Sequence, residues 1–332
     1  MNKQHLLIGM QAVILRLTSS LQPTNTANNQ NPGAAPSGDL IIFHAGSMTV
    51  PIKEIADSFM KTYPAVKVLT EAAGSRECAR KITDIGKPCD IMVSSDYKVI
   101  DEMLVPKYAA FNIAFATNEM VIAYMPENEA AKAINPDNWI DVLLKPSVAY
   151  GRSDPNSDPC GYRSLMVMQL AEKHYNRKGI AERMSAKDNR YIRPKEVDLL
   201  ALLESNSIDF IFIYKSVACQ HKLSYITLPS ELNLGDPTKN SLYEQAKVEV
   251  TGSKPGSHTL MLGEAMVYGV TMLKTAPNPM AALTFMKFFL EKTKGVQLIQ
   301  RNCQPSIVPY PSSTYNQIPD ELKPFALPIN GK

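Results

Sequence analysis

From Asp39 onward the chain alternates short apolar runs with amphipathic stretches, divided by clusters of small and polar residues. Leu40-Ile41-Ile42-Phe43 is apolar at every position, the pattern of a strand covered on both faces. The turn Ala45-Gly46-Ser47-Met48-Thr49 follows, and Pro51 then opens a helical pattern through Ile52, Ile55, Phe59 and Met60. Val66 to Thr70 predicts a second strand, Ala73-Gly74-Ser75 a second turn, and Cys78, Ala79 and Ile82 mark the helix after it. Asp90-Ile91-Met92-Val93 predicts a third strand, with Ser94-Ser95-Asp96 and a short helix behind it. Repeated strand–turn–helix units imply a parallel sheet with right-handed crossovers. All such turns open on one crevice outside the carboxyl ends of the strands, where ligands of open α/β sheets sit.

Phe111 to Tyr124 is long and β-rich, a candidate crossing strand into a second lobe. That lobe would hold Trp139 to Leu144, Val148 to Gly151, a helix after Cys160, a helix from Glu196 to Glu204 and the strand Phe210 to Tyr214. Ala265 to Leu273 is a second β-rich run that could cross back, followed by helices at Pro279 to Leu290 and Gly295 to Arg301. The fold class expected is therefore α/β with two lobes joined by two crossing strands. Its boundaries are 1–38 as leader and linker, 39–117 with 268–332 as one lobe, and 118–267 as the other.

The length of 332 residues suits two lobes, and 45% hydrophobic with 20% charged residues suits a folded protein. A net charge of +3, without a dense basic cluster, argues against a nucleic-acid partner. Residues 1–20 carry Lys3 and then an apolar run from Leu6 to Leu15, the layout of a secretory signal, although Gln11 interrupts it. Residues 19–39, rich in Asn, Pro, Thr, Gly and Ala, read as a disordered linker.

Chemistry concentrates at the junctions. Tyr150 to Leu165 packs turn formers, Asp158 and a Pro159-Cys160-Gly161 step directly before an amphipathic run. The first amides of a helix have no internal partners and point at whatever occupies the turn. Gly46/Ser47, Ser75, Ser94/Ser95, Asp158 to Cys160 and Glu196 all lie at such junctions. An N-cap role, worth ~1 kcal/mol, would account for each alone. Their convergence on one rim points instead to a ring of uncharged donors suited to a deprotonated oxyanion. Glu196 could equally be a first-turn helix acid and Tyr214 a strand-end aromatic in the core.

Five cysteines fit neither a disulfide scaffold nor a zinc site with paired close spacing. If the protein is exported, Cys78 and Cys89 are candidates for a bridge, and the odd count leaves at least one thiol free. A thiol enzyme would use Cys160, whose place at a helix start could lower its pKa, with a remote His as base. His44, His174, His221 and His258 lie in no thiol-enzyme motif.

Five blocks carry a resemblance. They are Phe43 to Ser47, Ala73 to Glu77, Gly151 to Pro155 with Asp158 to Arg163, Ile192 to Val197, and Ile213 to Ala218. In order, from about Asp39 to about Pro309, they resemble the archaeal-type molybdate/tungstate-binding proteins, solute receptors of ABC importers. The resemblance implies a periplasmic-binding-protein fold of type II, no enzymatic activity, no cofactor, a membrane permease as partner and a monomer outside the cytoplasm. It further implies an oxyanion held by Gly46, Ser47 and Ser75 from one lobe and by Asp158, Pro159, Cys160, Glu196 and Tyr214 from the other. The carboxylates of Asp158 and Glu196 would then approach the Mo or W centre itself. Sulfate or phosphate as ligand is the alternative this implication leaves.

Overall fold

The computed structural model describes residues 35–252 and 256–329. The signal-like segment and residues 19–34 of the expected linker lie outside those residues. Two five-stranded sheets organise the rest. The first has the order β2-β1-β3-β12-β4, with β1 Gly38–Ala45, β2 Val66–Ala73, β3 Ile91–Ser94, β4 Ile113–Thr117 and β12 Val267–Met272. The second has the order β7-β6-β8-β5-β9, with β5 Met120–Tyr124, β6 Tyr150–Ser153, β7 Ile192–Arg193, β8 Phe210–Tyr214 and β9 Ser224–Thr227.

β1 is apolar from Leu40 to Phe43 because both faces of its sheet are covered there. Leu40 and Ile42 join a core with Ile52, Ile55 and Phe59 of the helix Thr49–Thr62 and Phe285 and Phe289 of the helix Pro279–Leu290. Phe43 points the other way, into a core with Cys78, Ala79 and Ile82 of the helix Ser75–Thr83. β1 pairs in parallel with both β2 and β3, as expected, but β12 runs antiparallel to β3 and β4. In the second sheet β6 is parallel to β7 and β8, whereas β5 is antiparallel to β8 and β9. Trp139, Tyr150, Phe210 and Phe212 lie in the core around it.

The expected crossing strand Phe111–Tyr124 breaks in two. β4 belongs to the first sheet and β5 to the second, and Asn118 and Glu119 make the step between them. Asn118 stabilises that step itself, since its Oδ1 accepts from the Glu119 amide at 3.0 Å. The run Ala265–Leu273 does not cross as a strand: β12 starts at Val267 and stays within the first sheet. Elements absent from the sequence reading include β7, β9, the helix Ile180–Ala186, the hairpin of β10 Lys247–Thr251 with β11 His258–Leu262, and the parallel pair β13 Tyr310–Ser312 with β14 Ala326–Pro328. Among the described residues no helix is long and apolar enough to cross a membrane.

The cysteine expectation requires correction. Cys78 and Cys89 are both free and buried, and the bonded pair is Cys219 with Cys303, whose Cα atoms lie 6.3 Å apart. The two free thiols instead point at carbonyl oxygens, Cys78 Sγ at His44 (3.6 Å) and Cys89 Sγ at Ile91 (3.1 Å). Their short sequence spacing carried no geometric information. Cys219 ends the helix Lys215–Gln220 of one lobe, and Cys303 follows the helix Gly295–Arg301 of the other.

Candidate functional site

The carboxyl ends of β1 and β2 in one lobe and of β6, β7 and β8 in the other bring the expected residues together where the two lobes meet. Behind β1, Gly46–Met48 forms a single 3₁₀ turn before the helix Thr49–Thr62. Gly46 faces Glu196 so closely that a Cβ there would lie 2.9 Å from Glu196 Oε2 and 3.1 Å from Val197 Cγ2. Gly74 meets the opposite lobe still more tightly, since a Cβ would stand 2.3 Å from the Ser157 carbonyl oxygen. The Glu77 amide donates to that same carbonyl at 3.2 Å. Gly74 is thus required by close approach to backbone across the cleft, whereas Gly46 is approached only by side-chain ends.

Asp158 caps the helix Pro159–His174, Oδ1 accepting from the Cys160 amide at 3.3 Å. Its Oδ2 accepts from the Glu196 amide at 3.0 Å, so one carboxylate ties together two segments of the second lobe. Ser47 and Ser75 do not cap their helices. Ala45 and Gly74 occupy the capping positions, and neither side chain closes a cap bond. Ser47 Oγ accepts instead from the Tyr268 hydroxyl (3.0 Å), and Ser75 Oγ accepts from the Ser95 amide (3.0 Å). Tyr214 ends β8, and its hydroxyl oxygen accepts from Arg163 Nη1 at 3.0 Å.

Glu196 is fully buried, and neither Oε1 nor Oε2 has a hydrogen-bond partner among the described residues. Burial pushes its carboxyl well above the usual range, and the charge of Asp158 beside it pushes further. The Ser47 amide lies near enough to ease that penalty but outside hydrogen-bonding geometry. Burial also raises Asp158, but its two amide donors offset part of the cost. Of the two neighbouring carboxyls, both raised by burial, Glu196 is the one that the charge of its partner raises further. A buried carboxyl without partners is rare because desolvation is expensive. Ser153 Oγ, at the end of β6, is likewise buried and unpartnered. Glu196 and Ser153 thus place two such groups around Asp158 at one closed junction.

Sequence reasoning missed the residues behind this ring. Asp96 accepts from Tyr162 and pairs with Arg163 Nη2 at 3.1 Å, while Arg163 Nη1 also donates to the Ser95 carbonyl at 2.8 Å. Arg163 stood inside a recognised block and Asp96 inside a recognised turn, but only the tertiary fold pairs them. A cavity of about 430 Å³ lies beside Tyr97, Glu264 and Tyr310, and one of about 220 Å³ beside Asn118 and Cys303. Neither includes Gly46, Asp158 or Glu196, around which the lobes are closed.

The thiol-enzyme alternative fails on geometry. Cys160 is fully buried, its Sγ faces the Phe212 carbonyl at 3.7 Å, and burial raises the thiol well above its ordinary range. A buried thiol of this kind is inert. His44 is lowered to about 4 by burial and has Nδ1 against the Ala45 carbonyl at 2.9 Å.

Comparison with known proteins places the chain. Bacterial extracellular solute-binding proteins match residues 40–302. A solute-binding protein of Petrotoga mobilis is 44% identical over 292 residues, which cover 87% of this chain and 90% of that protein. The molybdate/tungstate-binding protein WtpA of Pyrococcus abyssi is 42% identical, covering 86% and 88%. WtpA of Thermococcus kodakarensis is 39% identical, covering 92% and 90%. Among solved structures, the periplasmic molybdate-binding protein of Azotobacter vinelandii superposes with a TM-score of 0.57 at 17% identity, covering 81% of this chain and 99% of that one. The sulfate-binding protein SubI of Mycobacterium tuberculosis gives the same score at 13% identity, covering 88% and 92%. These two likenesses show the two-lobed periplasmic-binding-protein fold. The chain belongs to the bacterial extracellular solute-binding proteins, a family that acts outside the cytoplasm and binds solutes rather than transforming them.

Proposed function

We propose that this protein captures tungstate or molybdate between its lobes and delivers it, as a monomer, to the membrane permease of an ABC importer. The observation that carries the reading is the Glu196 carboxyl, fully buried and without a partner, held beside Asp158 and against the Gly46–Ser47 turn. Relatives named for molybdate and tungstate, at 42% and 39% identity, support it.

In this reading Gly46, Ser47 and Ser75 donate to the oxyanion from the first lobe. The segment Asp158 to Cys160 and Tyr214 contribute from the second. Burial keeps Tyr214 a neutral phenol, so its proton is available to an anion. Asp158 and Glu196 supply oxygen ligands to the metal centre, raising it from four-coordinate toward six-coordinate. Carboxylates beside a dianion repel it on simple electrostatics, so an acceptor metal centre is needed for them to help. Sulfur in sulfate does not expand in this way, so the same carboxylates reject it.

Calorimetric titration with tungstate, molybdate, sulfate and phosphate tests the proposal. The expected result is tight binding of the first two and none of the others at matched concentration. Binding of sulfate or phosphate as tight as that of tungstate would overturn it.

A further inference from the structure

Ser47 is held by a chain of hydrogen bonds whose direction can be assigned from end to end. It begins at Asn118, in the step between β4 and β5. Asn118 Oδ1 accepts from two backbone amides, Glu119 at 3.0 Å and Ser216 at 3.3 Å. Backbone amides only donate, so the oxygen of the side-chain amide must face them and Nδ2 must face away. Nδ2 then donates to Ser216 Oγ at 2.7 Å and to the Tyr268 hydroxyl at 3.0 Å. A phenol that accepts from Asn118 has its own proton to place elsewhere, and Ser47 Oγ lies 3.0 Å away. Tyr268 is fully buried, and burial raises its pKa further above the physiological range, so the proton stays on the phenol. Ser47 Oγ thus receives a hydrogen bond from behind and has no acceptor of its own among the described residues.

We propose that Asn118 and Tyr268 are positioning residues that fix Ser47 as a one-way donor, its proton aimed at the bound oxyanion. The proposal rests on the reading of Ser47 as an oxyanion donor. Without the relay a serine hydroxyl rotates among three staggered positions and can spend its proton on a neighbour. With it, the donor is oriented before the ligand arrives, which removes an ordering cost from binding. Because Asn118 stands in the step between the sheets and also holds Ser216 of the second lobe, the relay connects the donor to the hinge. One other hydroxyl of the site has the same construction: the Tyr214 oxygen receives Arg163 Nη1.

The test is a double-mutant cycle read by tungstate titration. Ser47→Ala, Tyr268→Phe and the double variant are compared with the parent, with melting temperature recorded for each. Tyr268→Phe is expected to weaken tungstate binding about three- to tenfold in the parent and to change nothing when Ser47 is already Ala. A merely structural role for Tyr268 gives the same loss in both backgrounds and overturns the relay. If Ser47→Ala itself leaves affinity unchanged, the donor reading of Ser47 fails first. If Ser47→Ala weakens binding while Tyr268→Phe does not, only the relay fails. Should Tyr268→Phe not fold, Asn118→Asp replaces it in the same cycle. That variant substitutes an acceptor for Nδ2 at the same volume, so the Tyr268 proton turns away from Ser47. Its loss of tungstate affinity must again depend on Ser47 being present, and a loss independent of Ser47 overturns the proposal.

Discussion

Replacing Glu196 with Gln separates metal coordination from ordinary oxyanion binding, because the two make opposite demands on one side chain. Burial and the neighbouring Asp158 raise the Glu196 carboxyl well above its usual range in the closed junction. An amide of the same shape then changes little for a ligand that only needs a neutral wall. If Glu196 instead gives an oxygen to the metal centre, the variant loses a charge-assisted contact, ~1.5–3 kcal/mol, or about tenfold to 150-fold in Kd. Coordination also requires the Glu196 proton to leave, so the heat of tungstate binding should depend on the ionisation enthalpy of the buffer in the parent and much less in the variant. Titration calorimetry in two buffers reads both quantities, and sulfate under the same conditions should compete better in the variant. Equal tungstate affinity in the parent, Glu196→Gln and Asp158→Asn, with sulfate still rejected, would refute the coordination argument. The site would then be a hydrogen-bonding pocket in which Glu196 is only a first-turn acid.

Other consequences are open to direct measurement. Ser75→Ala should weaken tungstate binding by ~1–3 kcal/mol, since the lost bond is to a charged acceptor, and calorimetry measures it. Because Gly74 and not Ser75 occupies the capping position, no helix cap is lost, but the buried Ser95 amide loses its acceptor, so the same variant should also melt lower by about 1–3 kcal/mol of stability. Reducing the Cys219–Cys303 bridge, or replacing both residues with Ser, should cost about 2–4 kcal/mol of stability in denaturant melts, given the 84-residue separation it closes. With rising pH the empty parent should lose stability relative to Glu196→Gln. A carboxyl raised on folding contributes fully below its unfolded pKa of ~4.3 and loses that contribution as pH climbs through the raised folded value. Thermal melts of both proteins across that range check it.

The sequence spelled out the first sheet well for a physical reason. Strands covered on both faces must be apolar at nearly every position, so β1 and β3 stand out from their surroundings. β10 has an equally clear signal of another kind, the alternation Lys247-Val248-Glu249-Val250-Thr251, in which Val248 and Val250 are buried and the others exposed. That period of two is legible in the sequence alone. The edge strand β9 and the short pair β13–β14 carry no such pattern. In the candidate site, the positions of Asp158, Glu196, Ser47 and Ser75 at element junctions were legible because turn chemistry and helix starts are local. Tyr268 was not: 221 positions separate it from the hydroxyl it orients, and in its own strand it is one more aromatic in a β-rich run. Asn118 was hidden inside what read as one continuous strand.

The closed junction contains both an incentive and an obstacle, and their balance bears on what the ligand does. Asp96 and Arg163 pair across the cleft while almost fully buried. Such pairs add little net stability, because desolvation cancels most of the attraction. Glu196 works against closure, since shutting the lobes withdraws its carboxyl from water without offering it a partner. Closing the empty protein is therefore not strongly favoured, and a ligand that engages Glu196 removes the obstacle at the moment it binds. A ligand shifts such an equilibrium only by its differential affinity for the two states. Small-angle scattering should accordingly show a smaller radius of gyration with saturating tungstate than without, as in hinge closure. The same reasoning expects unliganded Glu196→Gln, relieved of a carboxyl that must be buried, to be more compact than the unliganded parent. An unliganded variant as open as the parent, in a protein whose parent closes on tungstate, would show that the buried carboxyl does not hold the lobes apart.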